Sequence, residues 1–457
     1  MTAHYFMSLL TFTAFVGENS LAATKTRPNI LFIVSDDMGY ADAGFQGCKD
    51  IPTPNLDRLA ASGVQFTSGY VSGPYCSPSR AGLMTGRYQQ RFGHEFNVVG
   101  GTDGLPLTET TIADRLKTAG YVTGLVGKWH LGGLPAMHPL QRGFEEFYGF
   151  IGGEHSYLAS AGIMRGTNPV EKIDYATDAF GREAQSFIER HQAESWFLYL
   201  AYNAVHTPMQ ATDGRLAQFR GITDKRRRIY DAMLLAMDES IGGVLKKLAA
   251  TGQEENTIVC FISDNGGPTM PGTTINGSQN DPLRGSKRTT LEGGIRVPFL
   301  ISWKSRLKPA VYTPPVIQLD LTATALAAAG VKIIPEWKLD GVNLLPFLSG
   351  EKGGLPHDAL YWRLGRQMAI RMGNLKLVRY DKNADTLTGK DQPATDARLY
   401  NLSKDIGETS NLAAVQPDKV EQLQKKWNAW NATLVRPRWG YNIVDDDGME
   451  PGGSPNK

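Results

Sequence analysis

Five short apolar runs constrain the fold of this 457-residue chain more than any other feature of its sequence. Each run is continuous rather than alternating between apolar and polar residues, which is typical of strands buried on both faces of a parallel sheet. The runs are NILFIV (29–34), YVTGLV (121–126), WFLYLAY (196–202), TIVCFI (257–262) and VPFLIS (297–302). They predict a central sheet that is covered by other elements on both sides.

Helical patterns lie between and beyond these runs, at residues 53–61, 110–119, 176–192, 224–250 and 314–329. Strands that alternate with helices predict an α/β fold, with a large and mostly parallel central sheet flanked by helices. We place this main domain at residues 27–354.

The pattern changes from about residue 355. ALYWRL, QMAIRM and LKLVRYD are shorter runs with glycine-containing turns between them, which indicates antiparallel strands. An amphipathic stretch at 415–434 follows them. We therefore predict a smaller C-terminal subdomain over residues 355–457, with an antiparallel sheet, a helix and a tail.

Polar side chains directly follow four of the five apolar runs. In open parallel sheets, ligands bind beyond the carboxyl ends of the strands, so these side chains should converge on one edge. They are Asp36 and Asp37, Lys128 and His130, His206, and Asp264 and Asn265.

Two of these groups supply only oxygen ligands. Asp36 and Asp37 follow the first run, and Asp264 and Asn265 follow the fourth. A single Asp-Asp pair is usually a solvated turn. A second such group at another strand end favours a hard divalent cation such as Ca²⁺ or Mg²⁺, which prefers carboxylate and amide oxygens and would relieve the repulsion between the carboxylates.

Cys76 stands at the start of a helical pattern, in the segment CSPSRAGLMTGR. Pro78 suits the first helical turn, Ser77 is a plausible N-cap, and Arg80 lies one turn further on. A helix N-terminus favours an anion at position 76 and predicts a lowered pKa for a thiol there. The alternative is a structural cysteine packed under the loop.

The segment CSPSR resembles the signature of the type I, formylglycine-dependent sulfatases of the alkaline phosphatase superfamily. GKWHLG (127–132), HTP (206–208) and SDNG (263–266) resemble other segments of that family, and Lys287 resembles the lysine of its Gly-x-Lys. The likeness extends from residue 27 to about residue 434, with every segment in the expected order.

This resemblance implies a sulfatase whose catalytic domain is the main domain, 27–354. In that family a maturation enzyme oxidises the cysteine, here Cys76, to Cα-formylglycine, and the hydrated aldehyde attacks sulfur. The resemblance also implies a Ca²⁺ ion, held by Asp36, Asp37, Cys76, Asp264 and Asn265.

The remaining catalytic roles are likewise implied by the resemblance. Arg80 would orient residue 76, and Lys128 and Lys287 would stabilise charge on the sulfuryl oxygens. His206 or Lys287 would protonate the leaving alcohol, and His130 would accept a proton when sulfate is expelled.

Residues that contact the substrate are expected just after the signature and before the third strand: Arg91, His94, Glu95 and His155. Phe92, Trp129 and Tyr157 could supply an aromatic face for a sugar. The run QRFGHE resembles that of bacterial sulfatases acting on sulfated polysaccharides, including galactans such as carrageenan. In the alternative interpretation, Arg91 and Glu95 form an ion pair at a helix end.

The first residues indicate export. Residues 5–16 are mostly apolar but too few to span a bilayer, and SLA at 20–22 is typical of a cleavage site, so we predict a signal peptide at 1–22 and a periplasmic or secreted protein. No other stretch suggests a membrane span. A net charge of +2, from 48 basic and 46 acidic residues, gives no global field for nucleic acid.

Two other functions stay open at this point. One is a phosphonate or phosphate monoester hydrolase that uses formylglycine on the same scaffold. The other is a catalytically silent, Ca²⁺-dependent glycan-binding relative. The preferred hypothesis is a sulfatase acting on a sulfated carbohydrate.

Overall fold

The computed structural model describes residues 1–2, 27–390 and 392–440. The predicted signal peptide, apart from its first two residues, and the tail from residue 441 lie outside the described residues. In the part of the chain that is described, no helix has the length and apolar character needed to cross a bilayer.

The strands are β1 Asn29–Ser35, β2 Val64–Phe66, β3 Gly69–Tyr70, β4 Val122–Lys128, β5 Glu146–Phe150, β6 Met164–Arg165, β7 Asn168–Pro169, β8 Trp196–Ala201, β9 Thr257–Ser263, β10 Phe299–Ser302, β11 Ala310–Tyr312, β12 Val316–Ile317, β13 Leu360–Leu364, β14 Gln367–Met372, β15 Leu375–Arg379 and β16 Arg398–Asn401. The helices are α1 Pro54–Ser62, α2 Cys76–Thr85, α3 Ile112–Thr118, α4 Ala176–Arg190, α5 Asp213–Leu216, α6 Lys225–Ala250, α7 Glu292–Ile295, α8 Leu319–Ala328, α9 Leu345–Leu348, α10 Asn383–Thr386 and α11 Pro417–Asn431.

The main sheet contains ten strands in the order β11-β2-β10-β9-β1-β8-β4-β5-β6-β7. Its centre, β9-β1-β8-β4-β5, is parallel throughout. The predicted α/β fold and mostly parallel sheet are confirmed. The fifth apolar run is the exception, because β10 pairs antiparallel with β9. Strand β10 is buried along its whole length. A strand that is covered on both faces has a continuous apolar run whether it pairs parallel or antiparallel with its neighbour.

Each face of the central sheet packs against its own helices. In β1, Ile30 and Phe32 belong to one core, together with apolar residues of α2, α3 and α8. Leu31 and Ile33 point to the opposite face and join residues of α4 and α6. Because successive side chains of a strand alternate between faces, a run that is apolar at every position needs both layers.

The C-terminal sheet is the antiparallel, four-stranded β13-β14-β15-β16, as predicted, and α11 packs against β14 and β15. An aromatic core joins it to the main domain: Tyr70 and Tyr88 pack in one cluster with Trp362, Tyr380 and Trp430.

A buried ion pair network fixes the same junction. The Lys376 ammonium of β15 lies 2.9 Å from a carboxylate oxygen of Glu292, in α7, and 2.9 Å from one of Glu408. All three side chains are fully buried. Glu408 also accepts a hydrogen bond from the Glu292 backbone N–H at 2.7 Å. Lys376 therefore contacts both acidic side chains, and Arg296 adds a second cation to Glu292 at 3.2 Å.

We expect Lys376→Met to lower the free energy of unfolding by about 3–5 kcal/mol, because removing one partner leaves buried charge uncompensated. Chemical denaturation monitored by tryptophan fluorescence measures it. Lys425→Met, at an exposed position of α11, is the matched control and should change stability by less than about 0.5 kcal/mol. Equal losses in the two variants would contradict this account.

Candidate active site

The carboxyl ends of the parallel strands bring the predicted polar residues together. Ser35, the last residue of β1, is in register with Ser263, the last residue of β9. The next residues continue this alignment: the Asp36 N–H donates to the Ala204 carbonyl at 2.8 Å, and the Asp264 N–H donates to the Ser35 carbonyl at 3.1 Å. The two acidic segments are therefore neighbours at one edge of the sheet.

Each of the three carboxylates at this edge is paired with a cation. The pairs are Asp36 with Lys128 (2.6 Å), Asp37 with Lys287 (2.8 Å) and Asp264 with Arg80 (2.8 Å). All six side chains are at most 4% exposed. Three negative and three positive charges balance, which offsets the cost of burying them.

Burial and these pairings shift the pKa values in different directions. Burial alone would raise the pKa of Asp37, but Lys287 and His206 hold it below its ordinary range. Burial and the nearby Asp36 raise the pKa of Asp264 to about 6. Burial opposes the charge on Lys287, yet Asp37 raises its pKa well above the ordinary value.

Both histidines at the site are neutral. Burial lowers the pKa of His206 to about 4, and burial followed by Lys128 lowers that of His130 well below its ordinary value. His206 Nδ1 lies 2.7 Å from the Thr207 carbonyl, which can only accept a hydrogen bond. The unprotonated nitrogen of His206 is therefore Nε2, which lies 3.5 Å from Asp37.

Cys76 is the first residue of α2, and its Sγ lies 4.0 Å from Asp37 Oδ1. The predicted lowering of its pKa is wrong. The thiol is buried, and burial raises its pKa to about 12 although Lys128 and Lys287 act in the other direction. The predicted N-cap is also wrong: Tyr75 occupies that position, and the Ser77 hydroxyl donates to the His130 carbonyl instead.

The oxygen donors at this edge suit a hard divalent cation. One ligand atom from each of Asp36, Asp37, Cys76 and His206 lies within 4.8 Å of the others. The two carboxylates are hard ligands, whereas a thiol and an imidazole are softer, and the predicted ligand Asp264 does not belong to this group. Asp36 Oδ1 and Asn265 Oδ1 are buried and have no hydrogen-bond partner among the described residues. Buried polar atoms are normally satisfied, so oxygens without a partner beside this cluster are what a cation would require. Carboxylate and amide oxygens suit Ca²⁺ or Mg²⁺.

A cavity of about 430 Å³ opens above these residues. Cys76, His130, His206 and Lys287 form its inner part. Its other lining residues come from three loops and include Asn97, Val99, Glu154, Thr274 and Arg288. The volume lies within the usual range for a small-molecule site.

Residues 28–331 match the sulfatase family. The chain belongs to the sulfatase family. Its fold and mostly parallel sheet place it in the alkaline phosphatase superfamily, and it is a sulfuric ester hydrolase, as the sequence predicted.

Three relatives illustrate the similarity. N-acetylgalactosamine-6-sulfatase of Canis lupus familiaris is 37% identical over 456 residues, which cover 88% of this chain and 85% of that protein. The uncharacterized sulfatase YdeN of Escherichia coli K12 is 33% identical over 88% of this chain and 85% of its own length. The crystal structure of Ps i-CgsB has a TM-score of 0.84 and 36% identity, over 90% of this sulfatase and 94% of that chain.

Three of the four residues predicted to contact substrate lie away from the cavity. Arg91 forms an ion pair with Asp340 at 2.6 Å. Glu95 is buried and accepts three hydrogen bonds from Arg363 of the C-terminal sheet, at 2.9–3.1 Å. His94 is fully buried. None of the three lines the cavity, so the structure gives no support to their predicted contact with substrate. The alternative Arg91–Glu95 pair is also wrong, because each residue has another partner.

The fourth residue, His155, is turned toward its own loop. Its ring nitrogens lie 2.6 Å from the Ser156 carbonyl and 2.8 Å from the Ala161 carbonyl, while its neighbour Glu154 lines the cavity. The predicted aromatic face is absent as well, since Phe92, Trp129 and Tyr157 are all buried.

The sequence analysis did not predict several loop residues that line the cavity. Thr274 donates to Asp37 at 3.0 Å and lies 3.3 Å from Lys287, yet no motif marks it within its Gly- and Thr-rich loop. Asn97 and Glu154 line the cavity from loops without regular structure. A place at the cavity could have been predicted for Arg288, because it directly follows Lys287 in the sequence.

We expect Ca²⁺ to stabilise this sulfatase and EDTA to reverse the effect. A ligand that is present at a hundredfold excess over its Kd, and binds only the folded state, raises the free energy of unfolding by about 2.7 kcal/mol. Differential scanning fluorimetry measures the shift in Tm. Asp36→Asn removes a ligand charge and should abolish most of the shift. Asp238→Asn is the control. Asp238 is also buried, but it lies outside the cluster and accepts hydrogen bonds from the backbone N–H groups of Asn55 and Leu56 in α1. A full Ca²⁺ response in Asp36→Asn would refute the assignment.

Proposed function

We propose that this sulfatase hydrolyses sulfate esters of a sulfated carbohydrate, most specifically a galactan of the carrageenan type, with formylglycine at position 76 and a Ca²⁺ ion. The supporting observation is that Cys76 lies among Asp36, Asp37 and His206 at the inner end of a cavity that Lys287 also lines. The sulfatase signature CSPSR begins at this same residue.

Asp36, Asp37, Asp264 and Asn265, with residue 76, would hold the Ca²⁺, which would polarise a sulfate oxygen as a Lewis acid. Formylglycine, once hydrated, supplies the nucleophilic oxygen and a second hydroxyl for expelling sulfate. Its formation requires a maturation enzyme acting on Cys76, and we propose that such an enzyme and export through the signal peptide precede activity.

The charges of the site suit an anionic ester. Its three carboxylates and three cations already balance, so a bound divalent cation would leave a net positive cavity. Lys128 and Lys287 are fixed by their carboxylate partners and buried. Preorganised cations in a dry site stabilise charge that develops on the sulfuryl oxygens.

The pKa shifts bear on the choice between the two proton donors. Lys287 carries its proton at neutral pH, because Asp37 raises its pKa, so the proton is available for the leaving alcohol, although the raised pKa makes the ammonium a weaker acid. His206 is a poorer donor, because its pKa is lowered to about 4. His130 is neutral, and its buried Nδ1 has no hydrogen-bond partner among the described residues. We keep it as the acceptor of the proton when sulfate is expelled, although its lowered pKa makes it a weak base.

The substrate class rests on the relatives. Ps i-CgsB has also been crystallised in complex with k-i-k-neocarrahexaose; that structure has a TM-score of 0.83 and 36% identity to this chain. The name of that ligand denotes a carrageenan hexasaccharide. Glu154 in the outer cavity could bind sugar hydroxyls, and Arg288 could bind a further anionic group.

A phosphate or phosphonate monoester hydrolase is the second candidate. Within the described residues, one cluster of His, Cys, Asp and Glu side chains is close enough to hold a metal ion. A single cluster argues against an enzyme that needs two ions for a dianionic phosphate, whereas a formylglycine-dependent monoester hydrolase is distinguished by its preference between sulfate and phosphate esters.

We expect sulfate release from an aryl sulfate to exceed phosphate release from the matching aryl phosphate, and Cys76→Ala to abolish both, because the nucleophile is lost. Mass spectrometry of the peptide containing residue 76 should show an aldehyde in place of the thiol. Cys48→Ala is the matched control and should keep wild-type activity. An unmodified thiol in fully active protein would overturn the formylglycine mechanism. An aldehyde without hydrolysis would favour a glycan-binding protein.

We expect kcat/KM for sulfate release from carrageenan oligosaccharides to exceed that for N-acetylgalactosamine 6-sulfate by at least about tenfold, because polar contacts with sugar hydroxyls discriminate strongly. Ion chromatography of released sulfate measures both rates. The desulfated oligosaccharides serve as blanks. The reverse preference would point to an amino-sugar substrate and contradict the galactan assignment.

A further inference from the structure

Ser77, the residue after Cys76, is held by two side chains that no catalytic role explains. Its backbone N–H donates to Asn97 Oδ1 at 3.1 Å, and its hydroxyl lies 2.6 Å from His94 Nε2. The same hydroxyl donates to the His130 carbonyl at 2.7 Å. A hydroxyl has one proton and the carbonyl can only accept, so His94 must donate from Nε2.

The Ser77 hydroxyl thus joins residue 76 to His130. His130 has a left-handed backbone (φ +58), which is uncommon for a residue with a side chain and persists only where its surroundings fix it. Its own N–H is held by the Ile151 carbonyl at 3.0 Å, and Gly153 leaves room for its ring. The bond from Ser77 therefore sets the distance between two groups that the reaction needs together.

One residue near the C-terminus contacts both partners of Ser77. The Trp439 indole N–H donates to the Asn97 carbonyl at 2.9 Å, and the Trp439 ring lies edge-on to His94, with 4.7 Å between centroids. The adjacent Arg438 N–H donates to the Gly93 carbonyl at 2.9 Å. The segment after α11 is therefore docked against the loop that leads from the signature helix to the cavity.

We infer that Trp439, His94 and Asn97 are positioning residues that fix Ser77, and through it residue 76 and His130, in the geometry required for sulfate ester hydrolysis. This inference rests on the proposed function of residue 76 and His130. His94 and Trp439 do not line the cavity, so they act on the rate of the reaction rather than on substrate binding.

The test uses the full-length chain and Trp439→Phe, which keeps an aromatic ring on His94 but removes the N–H donated to Asn97. We expect kcat to fall about tenfold with KM within about twofold, because small displacements of reacting groups are costly. Amide hydrogen exchange, read by mass spectrometry, should quicken in the peptide containing Ser77. Formylglycine content should not change.

Trp430→Phe is the matched control. Trp430 is buried in the same subdomain, but its indole N–H has no hydrogen-bond partner among the described residues, so kcat and exchange at Ser77 should stay at wild-type values. His94→Ala should reproduce the loss in kcat, and His94→Gln, which keeps a donor, should restore part of it. This rescue separates positioning from a general loss of stability.

Wild-type kcat and wild-type exchange at Ser77 in both Trp439→Phe and His94→Ala would overturn the inference. The proposed function would then still stand, provided that Cys76→Ala is inactive. If matured wild-type protein releases no sulfate, the proposed function fails, and the exchange measurement alone decides whether these residues hold Ser77.

Discussion

The pairing of three buried carboxylates with three buried cations is the constraint on which this active site depends. Moving an isolated charge out of water costs several kcal/mol even after the protein relaxes. Asp36, Asp37 and Asp264 can stay buried because Lys128, Lys287 and Arg80 lie within 2.6–2.8 Å of them. The three cations come from a strand, a helix and a loop, so the pairs form only when the strands, α2 and this loop are all in place. Fold and charge balance are therefore established together.

The same burial determines which nucleophile the site can use. A thiol with a pKa of about 12, as burial imposes on Cys76, would be ionised in only on the order of one molecule in 10⁵ at pH 7. Thiolate chemistry is thus poorly supported here despite the helix N-terminus and two nearby lysines. The proposed formylglycine at position 76 would not need a thiolate, but its hydrated form would also need a neighbouring cation when it loses a proton.

The central sheet and the inner part of the site could be predicted from the sequence because both are encoded locally. Buried strands have continuous apolar runs, and the residues that follow them must meet at one edge. The direction of β10 could not be predicted, because the run 297–302 would be equally apolar in either orientation. The pKa of Cys76 could not be predicted for a related reason: the helix terminus is visible in the sequence, whereas the burial that outweighs it is not.

The contacts of Arg91 and Glu95 could not be predicted from the sequence. Their partners, Asp340 and Arg363, lie 249 and 268 residues further along the chain. No local sequence pattern predicts pairs that are so far apart. Together with Trp439 on His94, they attach the segment after the signature helix to the C-terminal part of the protein. The outer cavity, in contrast, is lined by loop residues such as Val99 and Glu154, which are exposed to solvent. The inner site is thus fixed by contacts with the C-terminal part of the protein. Changes in the outer loops can therefore alter substrate choice without disturbing the buried charges.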